Sequence, residues 1–192
     1  MSQSPRPIAT QTVISPLTWV YLVVLAMIWG ASFISNRVAL GQLGFLTLVA
    51  FRTSGAMVAL WAYIWLRGLP VPRGRGWLLT CVLMGIFNNI VPFCLIVWGQ
   101  MHIASGLAGI LNAATAIFSV LAAALFFPDE RLTRAKSLGV ALGMAGVVVI
   151  IGPAALRAFD LSSLGQLAIL GAAASYAVAG IIGRARLRGV RP

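Results

Sequence analysis

The sequence predicts an all-α fold, a polytopic bundle of about six transmembrane helices. Of its 192 residues, 60% are hydrophobic and only 9% are charged, whereas a soluble domain carries about 25% charged residues. The mean hydropathy is +0.99. The apolar residues are gathered into long stretches separated by short basic segments. About 20 apolar residues span the hydrocarbon core as a helix, and lipid offers the backbone no hydrogen-bond partners, so each stretch is expected to be helical.

Six stretches follow one another along the chain. They cover residues 17–36, 46–66, 77–98, 105–127, 137–152 and 164–182. The first is too long for the apolar part of a cleavable signal peptide and is interpreted as a retained anchor. The second holds the one charge inside the stretches, Arg52. None of them holds an aspartate or glutamate, so we expect no proton-coupling carboxylate there.

The basic residues between the stretches predict the orientation. Of the fourteen Lys and Arg residues, eleven lie before the first stretch or after the second, fourth and sixth. Only Arg37 and Arg157 lie in the other loops. Cytoplasmic loops carry the excess of basic residues, so both chain ends are predicted to be cytoplasmic. The turns near Gly41, His102 and Arg157 are predicted to lie outside.

The net charge of +11 does not indicate nucleic-acid binding, because the charges alternate with apolar stretches and form no single basic surface. The expected partners are therefore the lipid bilayer and a small-molecule substrate. His102 is the only histidine, so we expect no metal site, no cofactor and no catalytic residue. Cys81 and Cys94 lie about 20 Å apart on one helix, too far for a disulfide.

Polar side chains inside the stretches are the candidates for a substrate cavity. Trp29, Ser32 and Asn36 are spaced to share one helix face. The full set of candidates is Trp29, Ser32, Asn36, Arg52, Asn88, Asn89, Asn112, Thr115 and Tyr176. Polar groups are costly in lipid and are expected to face the bundle interior or a wet cavity. Hydrogen bonding between helices is the alternative role for each of them.

Two of these features allow a more specific expectation. Pro92 is expected to free the carbonyl of Asn88, four residues earlier, beside two amide side chains. Arg52 lies about six residues into its stretch, roughly 9 Å deep. Its side chain can snorkel to the headgroups or point inward to the candidate cavity, and the sequence leaves both open.

Glycines are expected to let helices approach one another closely. The predicted packing positions are Gly30, Gly139, Gly143 and Gly146. Small residues at such spacing are typical of contacts between transmembrane helices.

Several motifs, in this order and spacing, resemble the EamA-like family of the drug/metabolite transporter superfamily. They are the Trp-Gly-Ala-Ser-Phe run at 29–33, Arg52, residues 104–108, residues 130–133, the glycines of the fifth stretch and residues 172–184. The resemblance covers residues 17–188. Ala116 stands where the family commonly has proline, so the resemblance does not extend to a kink in that helix.

The resemblance implies a ten-helix transporter built from two inverted five-helix repeats, with the substrate site near the membrane midplane. On this interpretation residues 1–16 form a cytoplasmic tail and residues 17–156 the first repeat. Residues 157–192 form the first helix of a second, incomplete repeat, so we expect a fragment of a longer protein. The polar face of that helix, with Ser175 and Tyr176, is then expected to meet lipid or another chain.

The resemblance implies export of small metabolites across the bacterial inner (plasma) membrane by alternating access, without enzymatic chemistry. The alternative is a non-transporting membrane scaffold or accessory subunit. A homodimer is compatible with the sequence, although two copies inserted the same way cannot replace an inverted half.

Overall fold

The computed structural model describes residues 15–71, 74–127, 133–151, 157, 160 and 163–187. The predicted all-α fold is confirmed, since every regular element in these ranges is helical. The helices are α1 (Pro16–Ala39), α2 (Phe45–Leu66), α3 (Arg75–Gly85), α4 (Val91–Gly99), α5 (Ser105–Phe126), α6 (Arg134–Ile151) and α7 (Leu164–Arg186). A π-helical turn, Ile86–Ile90, joins α3 to α4.

Within the described residues, five helical spans are long and apolar enough to cross a bilayer: α1, α2, the continuous Arg75–Gly99 rod, α5 and α7. The fifth predicted stretch, 137–152, corresponds to α6, a helix of 18 residues. Since α6 is not among the five, its crossing of the membrane stays a prediction.

The chain divides into two compact units, Met1–Ser32 and Phe33–Pro192. In its described part, the first unit consists of Ser15 and the first turns of α1, whose side chains are almost all exposed. The second unit holds the apolar core, formed by side chains from the end of α1 and from α4, α5 and α7. These are Phe33, Ile96, Leu107, Ala108, Leu111, Ile169 and Ala172.

Helix α7 is the most buried span of the second unit. Half of its apolar window is buried, compared with 17% for α5, because α7 packs against α3, α4 and α5. The expectation that its polar face meets lipid or another chain is therefore wrong for Ser175, which is only 7% exposed and hydrogen-bonded inside the bundle. Small residues at Ala172, Ala173 and Ala177 allow this close packing.

The contact between α4 and α7 depends on two glycines that the sequence analysis did not single out. A Cβ added at Gly99 would lie 2.8 Å from the carbonyl oxygen of Gly165. A Cβ added at Gly165 would lie 2.8 Å from the Cβ of His102. Real Cβ atoms do not come this close, so any larger residue at either position would push the two helices apart.

The glycines predicted as packing positions behave differently. A Cβ added at Gly30, Gly139, Gly143 or Gly146 would meet no other atom within 4 Å in the part of the chain that the structure describes. The expectation of close packing is thus not met within this part. A role in contacts beyond it stays a prediction.

Pro92 leaves the carbonyl of Phe87 without a donor in the register of the π-helical turn. The Val91 N–H donates to the carbonyl of Ile86, five residues earlier, so the next bond in this register would join residue 92 to the carbonyl of Phe87. Proline has no N–H and cannot form this bond. The Ser175 hydroxyl of α7 donates to the Phe87 carbonyl at 2.8 Å. The free carbonyl of Asn88 that the sequence analysis expected stays a prediction.

Candidate functional site

Buried polar side chains meet where the last turns of α1, the first turns of α2 and the end of α4 come together. We call Asn36, Arg52, Phe93 and Gln100 the Arg52 cluster. Gln100 follows directly after α4 and is 0% exposed. Its Nε2 donates to the carbonyl of Phe33 at 3.0 Å, and its Oε1 accepts from Asn36 Nδ2 at 3.2 Å. A buried amide is tolerated in this way because both of its ends are hydrogen-bonded.

The hydrogen bonds of the cluster orient both amide side chains. A backbone carbonyl can only accept, so the Nε2 end of Gln100 must face Phe33 and its Oε1 must face Asn36. Asn36 then donates through Nδ2 and presents Oδ1 to the Arg52 Nη1, 3.2 Å away. A guanidinium can only donate, so the chain of bonds is consistent at both ends.

The guanidinium of Arg52 lies inside the bundle. Its Cζ is 4.5 Å from the centroid of the Phe93 ring, within the range of a cation–π interaction. With Asn36 of α1 on one side and Phe93 of α4 on the other, the side chain points toward neighbouring helices. These contacts favour the inward orientation of the two that the sequence left open, and its place in a substrate cavity stays a prediction.

Two of the predicted candidates therefore lie in direct contact, since Asn36 and Arg52 are hydrogen-bonded. Tyr176 is half-buried and packs against the apolar core. Its place beside Arg52 in a common cavity stays a prediction.

The candidates on α5 and on the π-helical turn are not hydrogen-bonded to this group in the described residues. The Oδ1 atom of Asn112 is buried and has no described hydrogen-bond partner. The Thr115 hydroxyl donates to the backbone carbonyl of Asn112 at 2.7 Å, within its own helix. Asn88 is exposed and Asn89 half-buried. Their membership of a common cavity stays a prediction.

Trp29 and Ser32 belong to the first unit of the chain. The Ser32 hydroxyl donates to the backbone carbonyl of Trp29 at 2.6 Å, one turn earlier. A serine hydroxyl bonded in this way has its hydrogen-bond acceptor within its own helix. The role of both residues in a cavity also stays a prediction.

Sequence reasoning missed Gln100, Phe93 and Arg37, whose Nη1 donates to the backbone carbonyl of Gln100. Gln100 lies two residues beyond the predicted end of the third stretch and was assigned to a loop. Its partners come from α1, so no periodicity within its own segment could indicate them. The available signal was an uncharged polar residue directly after an apolar run, which is weak.

The model of the EamA-like transporter family matches residues 17–152. A probable terminal-alkyne amino-acid exporter of Streptantibioticus cattleyicolor is 34% identical over 137 residues, covering 71% of this chain and 45% of that protein. An uncharacterized transporter of Archaeoglobus fulgidus is 26% identical over 144 residues, covering 75% and 51%.

The inner membrane transporter YedA of Escherichia coli, itself uncharacterized, is 26% identical over 130 residues, covering 67% of this chain and 42% of that protein. The chain thus spans about half of the length of the relatives that it matches. No solved structure matches it significantly. The apolar helices and these relatives identify a multi-pass membrane protein. Since the family model covers most of its length, the chain belongs to the EamA-like transporter family.

Proposed function

We propose that this protein exports small metabolites across the bacterial inner membrane by alternating access. The observation that carries the proposal is the Arg52 cluster, in which a charged side chain is hydrogen-bonded to buried amides within the helix bundle. Ionisable side chains inside membrane helices are costly, and they mark substrate or ion pathways. The exporter named among the relatives supports the direction of transport.

The family match supports an inverted-repeat architecture for the whole protein. Residues 17–156 form one five-helix repeat on this proposal, and 157–192 begin the second. Sites of inverted-repeat transporters lie near the midplane where the repeats meet. Asn88, Asn89 and Asn112 are then available to line the substrate path together with Arg52 and Tyr176.

The orientation follows from the basic residues. We propose that both ends of the chain lie in the cytoplasm, because eleven of fourteen Lys and Arg residues fall on that side. Reporter fusions at His102 and Arg73 should give opposite signals, external at His102 and cytoplasmic at Arg73. An external signal at Arg73 would reverse the assignment.

Flux from proteoliposomes tests the function itself. Vesicles carrying the full-length protein and loaded with a mixture of amino acids and nucleobases should lose at least one compound faster than protein-free vesicles, as measured by mass spectrometry of the outer solution. The rate should saturate with the concentration of that compound, because alternating access passes through a bound state. Equal loss from both kinds of vesicle would contradict transport of these classes and favour the scaffold alternative.

A further inference from the structure

We infer that Arg52 binds a carboxylate group of the transported substrate, and that Asn36 and Gln100 are positioning residues for its guanidinium. This inference rests on the proposed function and names the substrate class of the same site. Three observations carry it: the charge of Arg52, its unused donors and the chain of hydrogen bonds that holds its guanidinium.

The charge of Arg52 has no counter-ion in the described part of the chain. The sequence contains three acidic residues, Asp129, Glu130 and Asp160, and all of them lie outside the apolar stretches. A partly buried guanidinium stays charged in any surroundings, so an anion that reaches it exchanges water for a strong charge-assisted hydrogen bond. The Arg52 cluster therefore favours an anionic ligand over a neutral one.

The guanidinium also has donors to spare. Nη1 is bonded to Asn36 Oδ1, and within the described residues Nε and Nη2 donate to no other group. The guanidinium Cζ lies over the Phe93 ring, 4.5 Å from its centroid. Nε and Nη2 form one edge of the planar guanidinium, and a planar carboxylate fits such an edge with two parallel hydrogen bonds.

The orientation of the Nε and Nη2 edge depends on a chain of hydrogen bonds that begins at the Phe33 carbonyl. The Phe33 carbonyl orients Gln100, Gln100 orients Asn36, and Asn36 Oδ1 holds Nη1. Gln100 is 0% and Asn36 5% exposed, so neither amide can rotate freely. A guanidinium held in this way loses little freedom when the ligand binds, which is what tight bidentate recognition needs.

Protection of Arg52 from an arginine reagent tests the site without measuring transport. The full chain in lipid nanodiscs is treated with phenylglyoxal, and the modification of Arg52 is measured by mass spectrometry relative to that of the exposed Arg67. Benzoate is the probe, and benzamide is its neutral analogue. Benzoate should slow modification of Arg52 alone, about tenfold at ten times its dissociation constant, because bound ligand excludes the reagent.

Benzamide should give no protection. Equal protection by benzoate and benzamide, or no protection by either, would overturn the carboxylate site. Stronger protection by inorganic phosphate than by benzoate would overturn the assignment to a carboxylate ligand. Absence of flux in the proteoliposome assay counts against the proposed function alone, since the protection assay does not depend on transport.

The variant Asn36→Asp sharpens the test. It places a carboxylate where Asn36 Oδ1 now lies, 3.2 Å from Nη1, and so gives Arg52 an internal counter-ion. Benzoate protection should then be lost, whereas Gln42→Glu, which adds the same charge at an exposed position in the turn after α1, should keep it. Unchanged protection in Asn36→Asp would contradict the inference, and the wild-type comparison of benzoate with benzamide decides the matter if that variant does not fold.

Discussion

Replacing Gln100 by leucine should lower the free energy of unfolding by about 2–4 kcal/mol, because each buried polar group left without a partner costs about 1–3 kcal/mol. Two such groups appear at once. The Phe33 carbonyl loses the Nε2 donor at 3.0 Å, and Asn36 Nδ2 loses its acceptor at 3.2 Å. Leucine has a similar volume, so the effect measures lost hydrogen bonds more than a cavity. Unfolding in mixed micelles by increasing SDS, followed by tryptophan fluorescence, gives the value.

The matched control is Gln42→Leu, the same substitution at an exposed glutamine in the turn after α1. It should change the free energy of unfolding by less than about 0.5 kcal/mol, as surface substitutions usually do. Equal effects of the two substitutions would mean that the buried hydrogen bonds of Gln100 contribute nothing measurable. The same result would remove its positioning role toward Arg52.

The sequence predicted the helices of this protein well because burial in lipid requires them. Every predicted stretch lies on a helix, and the boundaries differ by a few residues where polar residues such as Arg75 and Arg134 begin a helix before its apolar part. The π-helical turn at Ile86–Ile90 was predicted only in part. Pro92 indicated a disturbed backbone, but nothing in the sequence distinguishes a π-helical register from an α-helical one.

The candidate site was predicted in part for a related reason. Arg52 and Asn36 were identifiable because a polar residue inside an apolar stretch is conspicuous. Their direct hydrogen bond at 3.2 Å depends on how α1 and α2 pack, which spacing within either helix cannot specify. Gln100 was missed because it lies where an apolar stretch ends, and a polar residue there is ordinary. Ser175 was identified, but its partner is a backbone carbonyl, and a carbonyl has no residue type to recognise.

The pairing of Ser175 with Pro92 predicts that two mutations will be strongly non-additive. In the wild type the Phe87 carbonyl has no backbone donor because Pro92 lacks an N–H, and the Ser175 hydroxyl supplies one at 2.8 Å. Ser175→Ala leaves this carbonyl unsatisfied in the bundle, where Ser175 is 7% exposed. The free energy of unfolding should therefore fall by about 1–3 kcal/mol.

The Ser175→Ala substitution should lower the free energy of unfolding only slightly when residue 92 is alanine. Pro92→Ala restores an N–H that can bond the Phe87 carbonyl in the register shown by Val91 and Ile86, so the hydroxyl is no longer needed. The double-mutant cycle of Ser175→Ala and Pro92→Ala, measured by SDS unfolding, should give a coupling free energy of about 1–2 kcal/mol. The cavity left by the proline ring is present both in Pro92→Ala and in the double mutant, so its free energy cancels from the coupling free energy. Additive effects would show that the missing N–H of Pro92 is not the reason why the Ser175 hydroxyl stabilises the fold. The π-helical turn would then be stabilised independently of α7.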